Sequence, residues 1–338
     1  MKTPLLSLGK GEKVVLTFRT SLRLPVTVTS YQEFEEAVLT VRLLHTGVRT
    51  DVGRERFVDL MYYTLGWLLG DLGKKFGPKE LMTASLNLSL SKRHPENEDL
   101  GNFVFFQCLR ELGIQTKRVR DRGPDRSSPY GAYYWDSARS PLFGWFHTAC
   151  LGLKWNERTS FTPVKMDWIL AAPTESRLWF LRGLADSDGD VHFKDKSVGI
   201  TTSPNTDFVN SLIRSLGCRT HLEVYPNFSK VVLPAPQAAN IGVFNPEVLT
   251  YRRKTLEKLV GARTFERHWP QWLEAKVTGF LDSGLDVRAI RDRILEEDNV
   301  FTRLHTLNRK RISHRRNSTV PGAGLPSDDF GPAISREL

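Results

Sequence analysis

Apolar and polar residues alternate in "KVVLTFRT" and "LPVTVTS" near the N-terminus, a period of two that predicts short strands. The period then lengthens. "SYQEFEEAVLTVRLLHTG" opens with Ser30 three residues before Glu33, a capping-box pattern, and closes on Gly47, so a helix is expected over about 31–46. The apolar stretch "RFVDLMYYTLGWLLGDLG" predicts a second helix from Arg56 to Gly73. After it, "GKKFGPKE" reads as a turn, "LMTASLNLSLS" as a strand and the segment around Pro95 as a polar loop. A helix "NFVFFQCLRELG", a basic loop or hairpin arm "TKRVRDRGPDRSSP", a strand "YGAYYW" and a helix "SPLFGWFHTACLG" complete this half.

The same order then recurs. Helix "SRLWFLRGLADSDG" leads into strand "VHF", a turn with Lys194 and Lys196, strand "SVGITTS" and helix "NTDFVNSLIRSLG". A hairpin of "HLEVYP" and "KVVLPA" and a helical segment near 237–261 follow. "QCLRELG" lines up with "SLIRSLG", which sets Arg110 on Arg214 and Gly113 on Gly217. The recurrence predicts an α+β fold of two pseudo-symmetric αββαββα repeats, 55–170 and 171–265, behind an N-terminal extension, 1–54. Residues 266–312 read differently. A helix broken at Ser283–Gly284, a second at about 286–297 and a third at about 300–312 predict a small helix-turn-helix-like module. The polar stretch 313–338, rich in Pro, Gly and Ser, is expected to be a disordered tail.

Charge narrows the class of partner. The 338 residues carry 48 Lys and Arg against 38 Asp and Glu, a formal net charge of +10, which favours a polyanion such as nucleic acid. Cys108, Cys150 and Cys218 are odd in number and far apart, so neither a disulfide framework nor a zinc site is indicated, and each reads as a small core residue. No apolar run suits a signal peptide or a membrane span. The expectation is a soluble intracellular monomer, nucleoid-associated or organellar, that is not secreted and has no membrane partner.

Two helices carry the candidate chemistry. Aligning "TLGWLLGDL" (64–72) on "LRGLADSDG" (181–189) sets Gly66 on Gly183, Gly70 on Ser187 and Asp71 on Asp188. Small residues four apart share a helix face, so each helix offers a groove that lets another come close. Each acid then sits at a helix C-terminus, which is already negative. Two such ends side by side repel, and a divalent cation resolves the repulsion. Carboxylate and carbonyl oxygens suit magnesium.

"LRGLADSDG" resembles the signature of the LAGLIDADG homing endonucleases, with Leu181, Gly183, Leu184, Asp186, Asp188 and Gly189 matching, and "TLGWLLGDL" resembles a diverged first copy. The first copy keeps Gly66 and Asp71 but has Leu72 where the pattern has glycine, with Gly73 one later. The resemblance covers about 55–262. It implies two halves meeting at the motif helices and a saddle of strands in the DNA major groove. It further implies cleavage of both strands across the minor groove, leaving 3′ overhangs. Carried over, the metal ligands are the carboxylates of Asp71 and Asp188 and the carbonyls of Gly70 and Ser187, holding Mg2+ or another divalent ion such as Mn2+. Asp186 matches an earlier motif position, where capping or packing is the expected role.

The resemblance also implies basic or polar residues that organise water near each acid, and Lys92 and Lys230 are the candidates. Expected DNA contacts are Lys74, Lys75, Lys117, Arg118, Arg120, Arg122, Lys194 and Lys196 in the repeats and Arg303, Arg309 and Lys310 in the C-terminal module. Asn87, Ser89 and Ser91 could face bases, and Tyr133, Tyr134 and Trp135 are expected in the core. The functional expectation is a site-specific double-strand endonuclease of intron-homing type, acting on a long, pseudo-symmetric duplex target. Two alternatives use the same surface: a non-cleaving DNA-binding regulator and an RNA maturase that assists intron splicing.

Overall fold

The computed structural model describes residues 13–17, 21–45, 53–119, 121–126, 128–193, 195–265 and 269–318. The chain divides into two compact units, 1–260 and 261–338. The first unit opens with an antiparallel hairpin, β1 (Lys13–Thr17) and β2 (Ser21–Pro25), and helix α1 (Tyr31–His45). Helix α2 (Arg54–Leu69) leads into β3 (Gly73–Phe76), β4 (Ala84–Ser91), α3 (Asn97–Asn102), α4 (Leu109–Glu111), β5 (Thr116–Arg118), β6 (Ala132–Ser137) and α5 (Pro141–Trp145). Helix α6 (Thr174–Asp188) leads into β7 (Gly189–His192), β8 (Ser197–Thr201), α7 (Thr206–Ser215), β9 (His221–Val224), β10 (Ser229–Pro234), α8 (Ala235–Ile241) and α9 (Tyr251–Gly261). The fold is α+β, and both four-stranded sheets are fully antiparallel.

The sheets share one topology. Their orders are β3-β4-β6-β5 and β7-β8-β10-β9, so each runs first, second, fourth, third after its motif helix. Alternation assigns their faces. In β4, Ala84, Leu86 and Leu88 are buried, whereas Ser85, Asn87, Ser89 and Ser91 lie on the opposite, more open face. Asn87, Ser89 and Ser91 therefore take the outer face. In β6, Trp135 is fully buried opposite Leu88, as expected. Tyr133 and Tyr134 were also expected in the core and are instead half-buried, because strand parity turns Tyr134 outward opposite Ser89.

The sequence misplaces several elements. "GKKFGPKE" contains strand β3 rather than only a turn; β3 is an edge strand, where lysines are tolerated. The helix expected near 237–261 is two helices, because Gly242 ends α8 in the left-handed region at φ 64°. The expected N-terminal extension contributes to the core: Phe34 of α1 is fully buried against Tyr62, Trp145 and Trp168.

The second unit pairs β11 (Arg263–Thr264) in parallel with β12 (Val300–Phe301) and packs helices α10 (Gln271–Asp282), α11 (Val287–Asp298) and α12 (Leu304–Ser318). Leu273, Val277, Ile290, Ile294, Val300 and Leu307 form its core. The third helix was expected at 300–312; residues 300–301 are a strand instead, and 313–318, expected in the tail, are helical. Residues 319–338 lie outside the described ones. Among the described residues no helix is long and apolar enough to cross a membrane.

His147 supplies a test of the core. It is 1% exposed, and Nε2 donates to the Lys154 carbonyl at 3.0 Å, since that oxygen can only accept. Burial, helped by the charge of Lys74, lowers the imidazole from 6.5 to about 4. A depressed folded pKa means that stability present above pH 6.5 is lost as pH falls towards 4, by about 3 kcal/mol. His147→Gln keeps a donor but cannot be protonated. Chemical unfolding at pH 7 and pH 4.5 should show a smaller acid loss in that variant; equal losses would remove His147 as the cause.

Candidate functional site

The site begins with two helices that are apolar nearly all round. In α2, every residue from Leu60 to Leu69 is buried, and in α6 every residue from Leu178 to Ser187. Such helices belong in a core, and these two pack on each other. Their glycines set the separation. A Cβ at Gly66 would overlap the Phe180 carbonyl oxygen and approach Leu184 N at 2.7 Å. A Cβ at Gly183 would overlap the Tyr63 carbonyl oxygen. The backbones are therefore in contact, as the small-residue spacing predicts.

That contact brings the C-terminal ends together. Gly70 faces the partner helix so closely that a Cβ there would overlap Ser187 Oγ and lie 2.6 Å from Asp188 Oδ2. Asp188 closes α6 and is half-buried. Burial first, then the charge and hydrogen bonding of Asp71, push its carboxyl far above the ordinary carboxylate range. The two ends differ. α2 stops at Leu69, so Asp71 stands two residues past the helix and is exposed, while Leu72 N–H donates to the Trp67 carbonyl at 3.2 Å in a wide turn. Leu72 is buried, and Gly73 then starts β3 as Gly189 starts β7. The extra residue is absorbed in the turn.

Two cations hold these negative ends. Lys74, expected to grip phosphate from a turn, lies in β3 and donates to the Leu68 carbonyl at 2.6 Å. Burial lowers its ammonium to about 8, and the charge of Asp188 opposes that shift. Arg252 of α9 donates to the carbonyls of Asp186 at 2.6 Å and Ser187 at 3.2 Å. The guanidinium pulls Asp188 back towards ionisation. The sequence pointed to Lys74 for a different role and did not point to Arg252, which lies far downstream on another helix. The Ser187 carbonyl, an expected metal ligand, is thus already engaged; its hydroxyl donates to Leu184 O at 3.1 Å.

Asp186 is more than local structure. It is fully buried and accepts from Tyr63 Oη at 2.7 Å and Asn245 N–H at 3.3 Å, so it links α6 to α2. Burial raises its carboxyl from 3.8 to about 6, against the opposing Tyr63 hydrogen bond. Stability present below pH 3.8 is then lost as pH rises through 6, by about 3 kcal/mol. Asp186→Asn keeps an acceptor for Tyr63 without the ionisation cost. Its melting point should match the unsubstituted protein near pH 4 and exceed it at pH 7.5; a variant less stable at both pH values would refute this account. The slope opposes that of His147 over the same window, so the two variants resolve what the unsubstituted protein averages.

The remaining candidates disperse. Lys92 pairs with Asp121 at 2.9 Å and lies over the Tyr133 ring. Lys230, its side chain 13% exposed, pairs with Asp190 at 2.8 Å and lies 3.4 Å from His192 Nε2. Both lysines are committed to carboxylates other than Asp71 and Asp188. Lys75 and Lys117 share the outer face of the first sheet, through the register of Ser85 and Asp136, and Arg122 covers the Tyr134 ring. Arg118 is tied to Glu98 and Asp121. Lys196 lies in the β7–β8 turn at φ 47°. In the second unit Arg303 and Arg309 are exposed, and Lys310 pairs with Glu274 at 2.5 Å. Arg120 and Lys194 lie outside the described residues. The three cysteines are free, buried thiols.

The donor set suits a hard divalent cation. A half-buried carboxylate, Asp188, and an exposed one, Asp71, lie beside helix-end carbonyls, and oxygen ligands fit magnesium or manganese. Among the described residues no cluster of three or more His, Cys, Asp or Glu is placed to hold a metal, so water or phosphate would complete the shell.

No protein-family model and no curated protein sequence matches this chain. Solved structures do. A variant of the homing endonuclease I-DmoI is 16% identical over 55% of this chain and 93% of its own, with a TM-score of 0.36. The homing endonuclease I-WcaI bound to its DNA recognition sequence is 14% identical over 63% of this chain and 96% of its own, with a TM-score of 0.40. Full-length DUF199/WhiA from Thermatoga maritima is 10% identical over 85% of this chain and 99% of its own, with a TM-score of 0.39. These likenesses are remote, and the chemistry of the acid pair has to carry the functional reading.

Proposed function

We propose that this protein is a divalent-metal-dependent, site-specific DNA endonuclease, with Asp71 and Asp188 as the acids that hold the ion. One observation carries the reading: two backbones in van der Waals contact bring the two helix ends together, where burial and the neighbouring Asp71 raise Asp188. Such a pair costs stability unless a cation is shared. A divalent ion held there would polarise a phosphodiester and lower the pKa of water. The chain's own part is to fix the two oxygen donors. Lys74 and Arg252 neutralise the helix ends, and the outer strand faces meet the duplex. Lys75, Lys117 and Arg122 supply phosphate contacts there, with Asn87, Ser89 and Ser91 between them. Two similar sheets fit a long, pseudo-symmetric target bound by one chain.

A randomised duplex library incubated with the protein tests this, in magnesium and in EDTA. Recovery of one family of cut sequences in magnesium alone is the expected result. Retention of a sequence family that stays intact in magnesium would instead favour the non-cleaving regulator. Splicing of an intron RNA by the protein, with no DNA cut, would favour the maturase.

A further inference from the structure

We propose that Arg252 is a positioning residue: by bridging the carbonyls of Asp186 and Ser187, its guanidinium holds the end of α6, and with it Asp188, against Asp71. A helix leaves its last carbonyls without intrahelical donors. Here α6 runs directly into β7, and its cap residue Gly189 is extended, at φ −80° and ψ 150°. The Gly189 N–H donates to the Ala185 carbonyl. The next two carbonyls, of Asp186 and Ser187, receive the two terminal nitrogens of Arg252. A planar fork can reach two adjacent carbonyls at once, which a lysine ammonium on a flexible stem does poorly.

The helix that carries Arg252 is itself pinned. Thr250 is fully buried, and its hydroxyl accepts from the Arg253 N–H at 3.2 Å at the start of α9. On one side of Arg252, the Tyr251 ring stacks on His94, with centroids 3.8 Å apart and planes 10° apart. On the other, Lys254 pairs with Glu96 at 2.6 Å. His94 and Glu96 belong to the segment that follows β4 in the first half. One turn of helix therefore grips the end of α6 and the opposite half together, beside the two acids whose repulsion it must resist. The first half has a simpler device, since Lys74 reaches the end of α2 from the adjoining strand.

The functional consequence rests on the proposed metal role of the acids; the positioning itself does not. Two measurements separate them. The first is thermal unfolding in EDTA of Arg252→Lys, Asp188→Asn and the double variant. Arg252→Lys should lower the midpoint, and the loss should shrink by about half or more once Asp188→Asn removes the repulsion. Strict additivity would overturn the proposal. The second is calorimetric titration of DNA-free protein with Mn2+. Arg252→Lys should bind roughly tenfold or more weakly, although the charge is kept, while Arg253→Lys on the same helix should not. Equal affinity for Arg252→Lys, or a loss confined to Arg252→Gln, would overturn the positioning role. An unsubstituted protein that binds no Mn2+ would refute the metal reading, and the unfolding cycle would still decide Arg252.

Discussion

Asp188→Asn and Asp71→Asn should each abolish double-strand cleavage while target binding survives. The carboxylates are asked to hold a divalent ion against a phosphate, and an amide cannot replace that charge. A preorganised charge at a reacting phosphate contributes on the order of 10³-fold in rate, so either variant should fall by at least about that factor. The same substitution should make the metal-free protein more stable. Asp188 is desolvated beside Asp71, and its carboxyl is raised well above the usual range by both effects. Neutralising it removes the conflict, and each kcal/mol relieved shifts the melting midpoint by about 2–4 °C. Cleavage of a selected target in magnesium, filter binding in calcium and melting in EDTA check the three parts. A variant that cuts both strands at the unsubstituted rate would sink the paired-acid model. One that loses cleavage and becomes less stable would show that the acids stabilise the fold.

Gly183→Ala should be severely destabilising for a single added methyl. Its Cβ would fall on the Tyr63 carbonyl oxygen, which is backbone within a buried helix and cannot turn aside. The cost should reach upwards of about 2 kcal/mol, the range for overpacking a rigid core. Because the helices would separate along their length, the acids at their ends should separate too, and cleavage should fall with stability. Gly70→Ala provides the contrast. Its Cβ meets the Ser187 hydroxyl and the Asp188 carboxylate, which are side-chain atoms. That variant should disturb the site more than the melting point. Melting and single-turnover cleavage measured on both variants would discriminate; similar losses of stability would contradict this account of the contact.

Much of the pair was legible in the chain. Gly66, Gly70, Gly183 and Ser187 announce two helices able to touch, and the acids follow at matching positions. The alternation of "LMTASLNLSLS" announces β4, and Trp135 in the core follows from the next strand. The lysines in "GKKF" concealed β3, because an edge strand accepts charges that a central strand would not. Gly242 was a visible stop for α8, overridden by an apolar run that spans two helices.

The sequence alone determined that two Gly-bearing helices end in acids, because local spacing sets which residues share a helix face. Only the tertiary structure decided what surrounds those acids. Lys74 turns inward because the end of α2 leaves carbonyls that need a donor. Asp186 finds Tyr63 on the facing helix, and Arg252 arrives from α9 to complete the end of α6. A strand's period says which face a residue takes. It does not say which buried carbonyl or carboxylate will lack a partner once the chain has packed, and in this site that deficit selects the neighbours.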